Sequence, residues 1–122
     1  MAKPTVLILD DDPVHLKIYG WVVDRGNFRA LTALARNGTA DLPADEHVDV
    51  VVLDYRLGSS VTAKNLLPAI HDAFPNAPVV ILSELEWMPA DVKEDAAHFV
   101  RKGEPEELLE VLRTLTSESG AT

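Results

Sequence analysis

The sequence has no cysteine, which excludes disulfides, thiol catalysis and cysteine-based zinc sites. No apolar run approaches the roughly 20 residues that cross a bilayer. The start, MAKPTVLILD, lacks the hydrophobic stretch and small-residue cleavage site of a signal peptide. A cytoplasmic protein is the expectation. Positive charge is scarce: 11 Lys and Arg stand against 20 Asp and Glu, a formal net charge of −9. Phosphate contacts need Lys and Arg, so direct nucleic-acid binding is not expected. An acid excess suits a protein that holds a cation, although acidic soluble proteins are common. Internal repeats and low-complexity segments are also missing. With 122 residues the chain suits one domain around one core. That domain is expected over 1–122, with its core within 5–116 and a frayed tail or linker stub over 117–122.

What the sequence does have is alternation. TVLIL (5–9), VDVVVLD (48–54) and APVVILS (77–83) are apolar nearly throughout. Such runs predict strands buried on both faces, as in a parallel sheet with helices on each side. FRALTA (28–33) and AHFVRK (97–102) are weaker strand candidates. Helices are expected over 13–25, 61–74 and 104–116, and poorer ones, interrupted by Gly38, Pro43 and Pro89, over 34–45 and 87–96. In the first helix Asp12 suits the cap, Pro13 the first turn and Gly26 the end. Val14, Ile18, Trp21 and Val22 form its expected buried face. Leu66, Leu67 and Ile70 do the same for 61–74, and Leu108, Leu109, Val111, Leu112 and Leu115 for the last helix. Five βα units imply a doubly wound α/β domain.

In open α/β sheets, ligands sit beyond the carboxyl ends of the strands. The first strand ends in Asp10-Asp11-Asp12, the third in Asp54, the fourth in Ser83 and the fifth in Lys102. Clustered carboxylates raise one another's pKa, and a divalent cation reverses that cost. One carboxylate can then accept a phosphoryl group, with a lysine and a hydroxyl steadying its oxygens.

The segments VLILDDDP, DVVVLDYRL, APVVILS and HFVRKGEPEELLEVL, in this order, resemble the receiver domains of two-component response regulators over about 5–116. The resemblance implies a flavodoxin-like (βα)5 fold with a five-stranded parallel sheet in strand order 2-1-3-4-5. It implies a phosphoryl group accepted on Asp54 from a sensor histidine kinase or phosphotransfer protein, and a changed surface read by a downstream protein. Mg2+ would be held by Asp10, Asp11, Asp54 and the backbone carbonyl of Arg56. The match to Asp10 and Asp11, rather than Asp11 and Asp12, follows from the pair lying directly after the apolar run. Ser83 and Lys102 would complete the site. Phe99 would be the aromatic that changes rotamer on activation. Such a domain catalyses only its own phosphorylation and dephosphorylation, and is otherwise not an enzyme.

The sequence departs from the family in four places. Glu84 stands where the family has Ala or Gly, and is expected to slow phosphorylation or restrict the donor unless it points to solvent. Gly103 replaces the usual proline after the lysine, so a differently shaped loop is expected. The segment between Ser83 and Lys102 is short, so the fourth helix should be short and start near Pro89. That puts output through an ordinary dimer on the family's usual face, the fourth helix, fifth strand and fifth helix, in question. The loop after Asp54 keeps only Gly58. Two other readings compete. One is a degenerate receiver that signals without phosphate. The other is a haloacid dehalogenase-type phosphohydrolase, for which LILDDDPV fits but the later acidic motif is missing. His15, His47, His71 and His98 lack metal-ligand spacing and are expected at the surface. Trp21 is expected in the core, and Trp87 against the fourth helix, with a partner contact as its alternative.

Overall fold

The computed structural model describes residues 3–36, 39–57, 61–84, 87, 88, 90, 92, 96 and 98–120, the last four without their side chains. The strands are β1 (Thr5–Asp10), β2 (Arg29–Arg36), β3 (Thr39–Ala40), β4 (Val50–Asp54), β5 (Val79–Ser83) and β6 (His98–Arg101). The helices are α1 (Pro13–Arg25), α2 (Ala63–Ala73) and α3 (Pro105–Gly120). The three unbroken apolar runs became β1, β4 and β5, and every residue of each is buried.

The sheet order is β3-β2-β1-β4-β5-β6. All pairings are parallel except β2 with β3. Without β3 this is the expected 2-1-3-4-5 order of a flavodoxin-like sheet. Alternate strand residues face opposite ways. Leu7, Leu9, Val51, Leu53, Val79 and Ile81 meet Leu66, Leu67 and Ile70 of α2. Val6, Ile8, Val50, Val52, Val80 and Leu82 meet α1 and α3 through Leu16, Val23, Leu108, Leu112 and Leu115.

The segment 34–45 is not a helix. β2 runs on to Arg36, and the chain returns antiparallel, pairing Ala35 with Ala40 and Arg36 with Thr39. The second of the five βα units therefore has a hairpin extension in place of its helix. Half of the expected fourth helix, Pro89 included, lies outside the described residues. Among those described there, Val92 is fully buried and Ala96 N–H donates to its carbonyl at 3.0 Å. Gly58 also lies outside the described residues. At the C-terminus the helix extends to Gly120, past the expected end at 116. Among the described residues no helix is long and apolar enough to cross a membrane.

The ends of α1 are as expected: Asp12 Oδ1 accepts from Val14 N–H at 2.9 Å, Pro13 opens the helix and Gly26 follows it. Gly26 is there for room rather than for its dihedral freedom. Its φ is −80°, and a Cβ at that position would collide with Leu109. The left-handed position falls to Asn27, φ 72°.

The buried face of α1 is not the expected one. Leu16 and Val23 face the core, while Val14, Ile18 and Trp21 are 62%, 52% and 61% exposed. The Arg25 guanidinium lies 4.8 Å from the centre of the Trp21 ring. This cation–π contact covers the ring with a charged group. Trp87 is also exposed, at 67%, rather than packed away. The two faces of α1 and α3 make opposite predictions. Leu112→Ala, at a fully buried position, should cost about 2–5 kcal/mol in urea unfolding. Ile18→Ala should stay within about 0.5 kcal/mol. A large loss for Ile18→Ala would return that face to the core.

Candidate functional site

Register brings the acids together. Leu9 pairs with Leu53, so Asp10 and Asp54 end adjacent strands one step further on. Asp54 pairs with Leu82, which sets Ser83 just beyond it, and Ser83 pairs with Arg101, next to Lys102. Lys102 N–H donates to the Ser83 carbonyl at 2.8 Å, which pins the start of the loop after β6 to β5. The loop after β4 is pinned in the same way. Tyr55 N–H donates to Leu82 at 2.8 Å, and Ala63 N–H to Tyr55 at 2.7 Å.

The result is a cavity of about 570 Å³ lined by Asp11, Asp12, His15, Asp54, Arg56, Ser83, Glu84 and Lys102. Asp10 is 1% exposed, Asp54 2% and Ser83 4%. Asp11, Arg56 and Glu84 are exposed at the rim. Phe99 is half-buried and packs against the core on the α2 side of the sheet. Asp11, Asp54, Arg56, Ser83, Glu84 and Lys102 thus border one volume, Asp10 converges on Asp11 and Asp54 from beside it, and Phe99 stands apart from the lining.

Lys102 Nζ lies 2.8 Å from Asp54 Oδ1. Asp12 N–H donates to Asp10 Oδ1 at 3.0 Å. Asp10 Oδ2 has no hydrogen-bond partner among the described residues. Oxygens of Asp10, Asp11 and Asp54 converge to within 4.8 Å of one another. Burial, and then the neighbouring Asp54 charge, push the Asp10 carboxyl up to about 7. Burial lifts Asp54 as well, against the pull of the Lys102 ammonium. Burial also works against the Lys102 charge, yet its contact with Asp54 wins and its pKa is raised. A buried oxygen without a partner, among carboxylates that resist ionisation, is the chemistry a hard divalent cation relieves. The residues therefore fit Mg2+.

Two residues at the site escaped the sequence reading. His15 is not a plain surface histidine: its Nδ1 is 3.5 Å from Asp10 Oδ2 and its Nε2 is 3.6 Å from Asp12 Oδ2. Its helical spacing, three after Asp12, was the available signal. Tyr19, one turn further along α1, is half-buried, and burial raises its pKa despite the opposing charge of Lys102. Gly103 carries φ 85°, which supports the expectation of a reshaped loop. A proline, with φ fixed near −65°, does not fit there.

The raised Asp10 pKa fixes the sign of a pH dependence. Between about pH 4 and the folded value of about 7, the folded state keeps a proton that the unfolded chain has released. Stability of the metal-free protein therefore falls as pH rises through that window. Thermal melts should show a higher midpoint near pH 5.5 than near pH 8, with a difference on the order of a few kcal/mol. Asp10→Asn should flatten the slope and raise the midpoint at about pH 8. A wild-type curve that rises with pH contradicts the burial cost.

No family model matches the sequence, and no curated protein matches it either. Solved structures do match. The signal receiver domain of an HD domain-containing protein from Pseudomonas fluorescens Pf-5 is 21% identical, with a TM-score of 0.78, over 99% of this chain and 92% of that one. Chemotaxis protein CheY4 of Vibrio cholerae is 21% identical, with a TM-score of 0.77, over 93% and 99%. The response regulator TrrA of Thermotoga maritima, solved in complex with Mg2+-BeF, is 19% identical, with a TM-score of 0.75, over 92% and 98%. At these identities the likeness is one of fold, and it spans nearly the whole of each chain. The protein has the CheY-like fold of response regulator receiver domains.

Proposed function

We propose that this chain is a phosphorylation-dependent signalling receiver that takes a phosphoryl group onto Asp54. The observation that carries the reading is the convergence of three carboxylates on a cavity where Lys102 Nζ lies 2.8 Å from the acceptor carboxylate. The donor is a phosphorylated histidine of a sensor kinase or phosphotransfer protein. One Asp54 oxygen attacks phosphorus and the P–N bond breaks. The bonding pair stays on the ring nitrogen that carried the phosphoryl group, and with a proton on the other ring nitrogen the imidazole leaves neutral. Lys102 and Ser83 border the position of the transferred oxygens and offset their charge. Asp10, Asp11, Asp54 and the Arg56 carbonyl would hold Mg2+, which would supply further neutralisation of phosphoryl charge.

Reaction is confined to the chain's own acyl phosphate, formed and hydrolysed in place, so no external substrate is turned over. Phosphorylation biases the domain between two states, with Ser83 and Phe99 as the switch and a downstream protein as reader. A cytoplasmic location suits a kinase-fed module of this kind. Docking of the donor is assigned to α1. Its exposed Val14, Ile18 and Trp21 rise from the helix whose first turn borders the cavity. The TrrA complex with Mg2+-BeF makes beryllofluoride the natural probe.

Incubation with Mg2+ and a small phosphodonor should add one phosphoryl mass, lost in Asp54→Ala. Beryllofluoride should change the fluorescence of wild type only. No adduct under any donor, with an intact fold, favours the degenerate receiver instead. Turnover of small phosphate esters favours the phosphohydrolase. Glu84 lines the mouth of the cavity and is exposed. An anion there repels an anionic donor, so Glu84→Ala should speed phosphorylation several-fold in a mass time course. Screening by salt should shrink that gain, and equal rates at low salt rule the effect out.

A further inference from the structure

Two adjoining cavities at the far end of the sheet have no part in the mechanism above. Thr5, Arg29 and Asp49 border the larger one, of about 1130 Å³, so it lies where β1 and β2 begin rather than where they end. It runs between α1 and β2. The smaller, of about 560 Å³, lies past the end of α1, beside α3. Pro4, Phe28 and Thr116 line both, which makes them one groove. Its cations stand out against a chain of net charge −9: Lys3, Lys17, Arg25, Arg29 and Arg113 are five of the 11 Lys and Arg. Arg29 is held by Glu46 at 3.2 Å. The other four have no ion-pair partner among the described residues. Arg25 stacks one face on Trp21, which leaves its N–H edge free to donate. Among the described residues, the acids lining the groove are Asp24 and Asp49. Both oxygens of Asp49 are engaged, one by Thr5 N–H at 2.8 Å and the other by His47 Nε2 at 2.9 Å. Asp24 is exposed at the rim.

The floor is apolar: Leu16 and Phe28 are buried and Ala30 is half-buried. Gly20 keeps it open. A glycine in mid-helix costs helical stability, yet packing does not demand one here. A Cβ at Gly20 would meet Thr32 Cγ2 at 3.6 Å, an ordinary contact, so the bare position leaves room between α1 and β2. In the smaller cavity Arg25 and Arg113 stand with Asn27. The last carbonyls of α1 accept from the amides of Gly26, Asn27 and Phe28, which blunts the negative helix end that would repel an anion. Two guanidiniums suit phosphate oxygens, and the apolar floor suits a hydrocarbon body. We propose that this groove binds a small organic phosphate, with its charged head at Arg25 and Arg113 and its apolar body laid over Phe28 toward Gly20. The site is separate from the phosphoryl cavity and does not depend on the reading of Asp54 as an acceptor.

Naphthyl phosphate titrated into the full chain without Mg2+, followed by calorimetry and amide NMR, tests it. Binding should saturate, shift the amides of Gly20, Phe28 and Thr116, and be tighter than that of naphthol or inorganic phosphate by about tenfold or more. Arg113→Gln should weaken it several-fold, and Asp24→Asn should tighten it. Gly20→Leu favours the helix and fills the groove, so it should weaken naphthyl phosphate and leave inorganic phosphate unchanged. The amide spectrum of each variant reports that it is folded. Shifts that never saturate, or an affinity indifferent to both Arg113→Gln and Gly20→Leu, overturn the proposal. Shifts confined to Asp11, Ser83 and Lys102 also overturn it, because they place the anion in the phosphoryl cavity. The receiver reading stands or falls separately, on the Asp54 adduct.

Discussion

Two carboxylates buried side by side, with one ammonium to answer them, set the terms for everything else in this structure. Asp10 and Asp54 are there because β1 and β4 are parallel neighbours in a fixed register, so the sheet gives them no choice of position. Lys102 reaches Asp54 because β6 ends beside β5, and its own amide is held by Ser83. Two negative charges and one positive leave an excess at the strand ends. Burial magnifies that excess by removing the water that would screen it. The fold therefore stores an electrostatic cost at one edge, and a proton, a cation or a phosphoryl-bound complex are the ways to relieve it.

The parts of this arrangement that were legible in the sequence share a physical reason. A strand buried on both faces has no freedom in composition, so TVLIL, VVVLD and VVILS declare themselves, and the residue ending each run is at the sheet edge by construction. Asp10, Asp54, Ser83 and Lys102 follow from that logic alone. The face of α1 did not, because PVHLKIYGWVVDR is apolar around most of its circumference. Val14, Ile18 and Trp21 share a stripe, and so do Leu16, Tyr19 and Val23. Periodicity cannot choose between two such stripes. The sheet chooses, taking Leu16, Tyr19 and Val23 and leaving Val14, Ile18 and Trp21 outside. The hairpin at 34–45 was hidden differently. Alanine and leucine there suit a helix, and Gly38 reads as an interruption of it, although Asn-Gly is also the strongest short-range hairpin signal.

His15 shows a further limit. A single histidine has no spacing to match against a ligand pattern, and in the sequence it is only the third residue of a helix. Its meaning comes from the fold, which turns the first turn of α1 back over the ends of β1 and sets the ring beside Asp10. Its spacing from Asp12 hints at a contact with that cap, but the contact with Asp10 becomes visible only when the strand and the helix that follows it are seen together. The same holds for Tyr19, one turn on, whose hydroxyl senses the charges of Lys102, Asp54 and Asp10.

The exchange of a helix for a hairpin after β2 also bears on how the chain assembles. The parallel pairings of this sheet each join segments that are far apart in sequence, and loop-closure entropy must be met before any of them is rewarded. The pairing of Ala35 with Ala40 and Arg36 with Thr39 is the exception among the described strands. It closes over a handful of residues and needs no crossover. The β2 end of the sheet can therefore acquire order locally, on the microsecond scale of hairpins, before β1 arrives to receive it.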